Sequence, residues 1–163
     1  MSTSIREYVD TDYDFLHDGF VAYLAEEKAR VGILGIPDDF PETYVPRLIQ
    51  KVRSEHGTIL VAEVDGRPAG YVAMLPKDPQ PWDQTRSRTA MLMELFVAPE
   101  HRRRGVARRL FDEIEARSAA QGFEWITLGV MGANDVAQSF YAAQGYRPTY
   151  HFMGKPLRAR SVR

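Results

Sequence analysis

Two features of this chain join residue types that could do acid–base and phosphate chemistry. The first is the apolar run Met91-Leu92-Met93-Glu94-Leu95-Phe96-Val97, which carries one carboxylate. Strand alternation places Glu94 on the same face as Leu92 and Phe96 unless a bulge intervenes. Burying an unpaired charge is costly, and desolvation lifts a carboxyl pKa toward the range useful to a general base. Glu94 is therefore a candidate base, and the alternative is a structural carboxylate paired with a nearby arginine or with water.

The second feature follows at once in Ala98-Pro99-Glu100-His101-Arg102-Arg103-Arg104-Gly105-Val106-Ala107. The first amides of a helix lack internal partners, and the helix dipole adds partial positive charge, so anions settle there. Gly105 can take positive φ and let backbone approach a pyrophosphate, while Ala107 keeps the next position small. Arg102, Arg103, Arg104, Arg108 and Arg109 surround this turn, and guanidinium groups can grip phosphate oxygens bidentately. The segment lacks the Gly-Lys-Ser/Thr ending of a nucleotide P-loop and the three-glycine dinucleotide fingerprint, which counts against nucleoside triphosphates and nicotinamide cofactors. Downstream, Asn134 and Tyr141 are seven residues apart, two helical turns, so their side chains can line one groove.

Taken together, Val97-x-Pro99-x-x-Arg102-x-x-Gly105-x-Ala107 resembles the acetyl-coenzyme A signature of the GNAT acetyltransferase superfamily. The block from Asn134 through Phe140-Tyr141 to Gly145-Tyr146 resembles that family's later motif, at the expected distance. The resemblance covers nearly the whole chain and is weakest over residues 10–57 and 76–90. It implies an acyltransferase that moves acetyl from acetyl-coenzyme A to an amine, on a small molecule or a peptide or protein, by direct attack in a ternary complex. It also implies site roles. Backbone of Leu95, Phe96 and Val97 would meet the pantetheine amides, and Arg102, Arg103, Arg104, Gly105, Val106 and Ala107 would hold the phosphates. Asn134 would hydrogen-bond the pantetheine arm, and the Tyr141 hydroxyl would donate to the departing thiolate. The residue-level alternatives stand beside these roles: Asn134 as a simple helix cap and Tyr141 as an aromatic packed beside Phe140.

Stepping outward to what must position these groups, 163 residues with 44% hydrophobic content fit one domain, 1–163, with a real core. A net charge of −1 argues against a general nucleic-acid or membrane-surface protein, and the basic residues cluster locally. Zero cysteines exclude disulfides and a cysteinyl acyl-enzyme. His17, His56, His101 and His151 show no ligand spacing, so no metal is expected. No segment has signal-peptide or membrane-span character, which leads to the expectation of a soluble, cytoplasmic protein. Dimerisation is common in the family, so a homodimer is one expected state.

The patterning predicts a strand near Ser4 to Tyr8, then helices from about Thr11 to Arg30 and from Pro41 to before Gly57. Thr58 to Val64 and Ala69 to Leu75 read as strands joined by the tight turn Asp65-Gly66. The proline-punctuated stretch after Leu75, which carries Trp82, reads as a loop that could face substrate. A helix from Arg108 to Gln121, a strand from Trp125 to Val130, a helix capped by Asn134 and a strand from Tyr150 to Leu157 complete the chain. Such an order means an α/β layered fold. The family resemblance sharpens this to a mixed, mainly antiparallel sheet of about seven strands, flanked by about four helices and splayed between strands 4 and 5.

Acceptor-facing candidates are Glu26, Glu27, Asp38, Asp39 and Glu42, which could attract a cationic amine, with Phe40, Tyr44, Tyr71 and Trp82 as an apolar wall. Two other functions remain open: a non-catalytic acyl-coenzyme A sensor, and nucleic-acid binding through the arginine cluster and basic tail, which overall acidity and the lack of interleaved aromatics disfavour.

Overall fold

The computed structural model describes residues 2–31, 35–78 and 88–155. Five strands form one sheet in chain order: β1 Thr3–Glu7, β2 Thr58–Val64, β3 Arg67–Lys77, β4 Thr89–Val97 and β5 Trp125–Leu128. The first four run antiparallel, and β5 pairs parallel to β4. The four α-helices are α1 Tyr13–Val31, α2 Phe40–Ser54, α3 Val106–Ala120 and α4 Asp135–Ala143. Among the described residues no helix is long and apolar enough to cross a membrane.

Each element follows from local chemistry. Asp65 and Gly66 have φ of 48° and 78°, so a two-residue turn with both central residues left-handed joins β2 to β3 in the twist such hairpins require. In α1, Leu16, Phe20, Leu24 and Glu27 recur at helical spacing and are all buried. Pro41 opens α2, whose buried stripe is Val45, Leu48 and Ile49. Helix α3 starts at Val106, two residues before the expected Arg108, and buries Val106, Leu110, Phe111 and Ile114.

The sheet separates two cores. Leu16, Phe20, Val45, Ile59, Val61, Tyr71 and Phe96 pack on the α1/α2 face. Leu60, Val72, Met74, Leu92, Leu110 and Phe111 pack on the α3 face. Each such side chain contributes about 1.5–3 kcal/mol relative to exposure, which fixes both helical layers against the strands.

Two expectations about the sheet need correction. The described residues contain five strands rather than about seven. The strand expected from Tyr150 to Leu157 does not form over residues 150–155, and its remainder lies outside the described residues. Phe152 and Met153 are exposed, and no neighbouring ladder satisfies that backbone. The strand expected to reach Val130 ends at Leu128. The proline-rich loop falls mostly outside the described residues, Trp82 included.

Parallel pairing runs from Thr89↔Trp125 to Leu92↔Leu128 and stops, leaving Met93 to Val97 without a β5 partner.

Candidate active site

Glu94 lies just past the last β4–β5 pair, and a bulge decides its direction. Ala73 pairs with Glu94 and Met74 with Leu92, so Met93 is an extra residue in β4. Leu92 consequently packs in the α3-side core while Phe96 packs in the α1/α2-side core. Glu94 turns with Phe96, away from Leu92, and its Oε1 accepts a 2.6 Å hydrogen bond from the hydroxyl of Tyr44 in α2. The side chain is half-buried, recessed yet reached by solvent. Desolvation pushes its pKa from 4.5 up to about 7, and the Tyr44 hydrogen bond opposes part of that rise.

A set of tyrosines gathers around this carboxylate. Burial and the Glu94 and Glu27 charges push Tyr23 of α1 up to about 12. Burial, with Tyr23, Glu94 and Glu27 nearby, does the same to Tyr141 of α4. Burial and Glu94 also raise Tyr44 and Tyr71 well above the ordinary phenol range. All four remain protonated donors at neutral pH. The Tyr141 ring packs on Phe111 and Phe140 at 5.6 Å between centroids, so the aromatic role expected of it is real. Its raised pKa comes first from burial, with the Tyr23 and Glu94 charges adding to it.

The turn between β4 and α3 has the backbone an anion site needs. Arg103 and Gly105 have φ of 61° and 82°, and Gly105 stands at the cap position of α3. No side chain caps this helix, and its first turn holds no carboxylate. A Cβ at Gly105 would meet nothing within 4 Å, so the glycine serves the left-handed conformation rather than a crowded packing site. Arg103 and Arg104 are exposed beside it, as are Arg108 and Arg109. Arg102 behaves differently: its Nε donates to the Val97 carbonyl at 2.9 Å and one terminal nitrogen donates to Glu26 at 2.7 Å. In this arrangement its guanidinium ties the turn to α1 instead of facing outward.

Asn134 is a helix cap in fact: its Oδ1 accepts from the Ala137 amide at 3.1 Å. Its Nδ2 donates to Glu27 Oε1 at 2.8 Å, linking α4 to α1. Arg30 also donates to Glu27 Oε1, at 2.5 Å, and Glu27 Oε2 is buried without a hydrogen-bond partner. In the sequence Glu27 stands only among several acidic candidates for attracting an amine. The better signal was its position, three residues beyond Leu24 and seven beyond Phe20 on the buried stripe of α1. Asp38 is instead paired with Lys28 at 2.8 Å on the surface. The Tyr44 partnership with Glu94 carried no sequence signal at all.

A cavity of about 220 Å³ opens on the α2 side, lined by Tyr44, Arg47, Leu48, Lys51, Leu75 and Met93 among others. It shares Tyr44 and Met93 with the surroundings of Glu94. A larger open depression of about 650 Å³, lined by Tyr8, Asp10, Tyr13 and Arg53 among others, includes neither Glu94, Tyr141 and Asn134 nor any residue of the turn before α3.

The model of the Acetyltransferase (GNAT) family matches residues 33–146. The chain belongs to the GNAT acetyltransferase family. Among curated GNAT relatives, human N-acetyltransferase 8 is 33% identical over 98 residues, covering 59% of this chain and 41% of its own length. Rat N-acetyltransferase family 8 member 3 is 30% identical over 115 residues, covering 70% of this chain and 46% of its own length. The chain thus spans less than half of these relatives. An uncharacterised N-acetyltransferase of Mycobacterium tuberculosis is 30% identical over 101 residues, 62% of this chain and 60% of that protein. Among solved structures, a mutant of the BH1408 protein from Bacillus halodurans superposes with a TM-score of 0.79 at 26% identity, covering 95% of this chain and 99% of that one. The aminoglycoside N-acetyltransferase AAC(6')-Iy, in complex with coenzyme A, has a TM-score of 0.71 at 20% identity over 97% and 96% of the two chains, a likeness of fold.

Proposed function

We propose that this chain is an N-acetyltransferase that uses acetyl-coenzyme A and passes the acetyl group to an acceptor amine within a ternary complex. Membership of the GNAT family supports the reaction class. The observation that carries the reading at residue level is Glu94, a carboxyl lifted to about 7 at the open end of the β4–β5 splay.

The site suits the thioester's shape and charge. Helix α3 presents amides that no side chain caps, behind a glycine turn with room beside it and four exposed arginines. That donor set matches a pyrophosphate. The unpaired edge of β4 past Leu92 offers backbone groups to an amide-bearing arm. Leu95, Phe96 and Val97 lie on that edge. Arg103, Arg104, Gly105, Val106 and Ala107 form the phosphate seat, and Asn134 stands across the splay. Arg102 supports the seat through Glu26 and Val97.

Acetyl-coenzyme A supplies an acyl carbon activated as a thioester. The residues of the chain do the rest. Glu94, half ionised near neutral pH, takes a proton from the attacking amine as the new C–N bond forms. Tyr141 donates a hydrogen bond to the sulfur as the C–S bond breaks. Full proton transfer from a phenol near 12 to a thiolate near 8.5 is about 5 kcal/mol uphill, so stabilisation rather than protonation is the task assigned to Tyr141. A lysine-like amine with pKa about 10.4 spends roughly 4.6 kcal/mol becoming neutral at pH 7, so a base matters most for such an acceptor. A cytoplasmic setting is part of this proposal, supported by the absence of cysteine.

The test is direct. Purified protein is incubated with acetyl-coenzyme A and a panel of amines while free thiol is followed, and donor binding is measured by calorimetry. Amine-dependent thiol release is expected, and absence of acetyl-coenzyme A binding removes the proposal.

A further inference from the structure

We infer that the acceptor is an amine bearing an anionic group, a carboxylate or phosphate, held by Arg47 and Lys51 while its amine faces Glu94. This rests on the acetyl-transfer reading above, because it concerns the acceptor half of the same site.

The cavity beside Tyr44 carries all its charged lining groups as cations. Tyr44 and Met93 line one part of it, and Glu94, outside the lining, is reached through the Tyr44 hydroxyl that donates to it and through Met93, its neighbour in the bulge. Arg47 and Lys51 line the same space, together with Leu48 and Leu75. No carboxylate lines this cavity among the described residues. Arg47, Leu48 and Lys51 stand three, four and seven residues beyond Tyr44 on α2, which puts them on a single helical face. Along the helix axis Arg47 stands about 4.5 Å, and Lys51 about 10.5 Å, from Tyr44. An acceptor whose amine and acid are separated by a few bonds spans that interval.

The two cations have little else to do. Arg47 is exposed and makes no hydrogen bond or ion pair among the described residues. Lys51 meets Glu55 at 3.8 Å, with both side chains exposed, a contact worth well under 1 kcal/mol. Guanidinium and ammonium groups at the mouth of a small cavity favour a carboxylate or phosphate and repel a second amine. A volume of about 220 Å³ holds a group of roughly seven water molecules' bulk, the scale of an amino acid rather than an oligosaccharide. A polycationic acceptor would place its extra amines against Arg47 and Lys51. An acceptor with one acid and one amine sets its acid against these cations and leaves its amine free to extend past Tyr44 toward Glu94.

The experiment compares four acceptors of equal chain length: an ω-amino carboxylate, an aminoalkyl phosphate, the matched uncharged amide, and a diamine. Thiol release is measured with acetyl-coenzyme A, and acceptor affinity is measured by calorimetry with and without coenzyme A. The expected result is kcat/KM at least tenfold higher for one or both anionic acceptors than for the amide, with the diamine weakest. The carboxylate and phosphate arms show which anion is preferred. In the Arg47→Ala/Lys51→Ala variant the anionic preference should fall to within about twofold of the amide, through KM with kcat retained, and Arg47→Lys should recover part of it. Both residues are exposed, and circular dichroism verifies that the variant folds. Equal use of the amide, preference for the diamine, or an anionic preference that survives the double variant overturns the inference. So does a lack of measurable affinity for either anionic acceptor. If acetyl-coenzyme A binds and turnover ignores acceptor charge, only this inference fails. If acetyl-coenzyme A does not bind, the acetyl-transfer reading fails with it.

Discussion

The Tyr44 hydroxyl stands 2.6 Å from Glu94 Oε1, so helix α2 holds the carboxylate that strand β4 carries just past its last pair with β5. The contact favours the ionised form and works against the desolvation that raises the pKa to about 7. Activity should therefore rise with pH on a limb centred near 7 in kcat/KM, for a base must be deprotonated to act. Tyr44→Phe removes the opposing hydrogen bond, and the limb should move up by about one unit. The pH profiles of the two proteins decide this, and an unmoved limb would show that another group sets it.

Glu94 also carries a stability cost whose sign is fixed by its pKa. A folded-state value near 7 against 4.5 unfolded means the folded protein binds the proton more tightly. The cost is absent below about pH 4.5 and fully present above about pH 7, at most about 3 kcal/mol because solvent still reaches the side chain. Glu94→Gln keeps an oxygen for Tyr44 and removes the charge. It should raise the unfolding midpoint at pH 8, leave it little changed at pH 4.5, and abolish the acid limb of activity. Urea denaturation at the two pH values is the measurement.

Tyr141→Phe keeps the ring packed on Phe111 and Phe140 and loses only the hydroxyl. A hydrogen bond to a departing thiolate is charge-assisted and worth about 1.5–3 kcal/mol. Turnover should fall roughly 10- to 100-fold, with the coenzyme A dissociation constant changed less than about twofold. Undiminished turnover would return Tyr141 to the aromatic cluster alone.

Asn134→Asp tests the link between α4 and α1. Aspartate caps a helix as well as asparagine does, so the bond from the Ala137 amide survives. The donor to Glu27 is lost, and two carboxylates then face each other where the 2.8 Å bond was. Destabilisation of roughly 1–3 kcal/mol is expected at pH 7. Glu27→Gln added to Asn134→Asp supplies a donor again, and should recover a large part of the loss in a double-mutant cycle.

Much of this architecture is local and was legible along the chain. Helical periodicity marked α1 and α2, Asp65-Gly66 marked the hairpin, and the apolar run with one carboxylate marked β4 and Glu94. Gly105 was legible as well, because a left-handed residue before a helix calls for glycine wherever it occurs. The expected strand at Tyr150 to Leu157 failed for the complementary reason. An apolar stretch reveals strand preference but not whether a neighbour exists to pair with it.

The arrangement that gives the site its chemistry is not written in any such window. One extra residue at Met93 sends Glu94 to the α2 face, and a bulge answers to the register of the opposing strand. Tyr44 lies 50 residues from Glu94, and Glu27 lies 107 residues from Asn134. Arg102, one of five arginines clustered over residues 102–109, is drawn to Glu26 by the docking of α1. Residue type and spacing specify which elements form and which chemical groups they carry, because φ/ψ preference and amphipathic period act over a few residues. Which groups meet, and how far a carboxyl is stripped of water, depends on packing between segments remote in the chain, and that is a property of the folded whole.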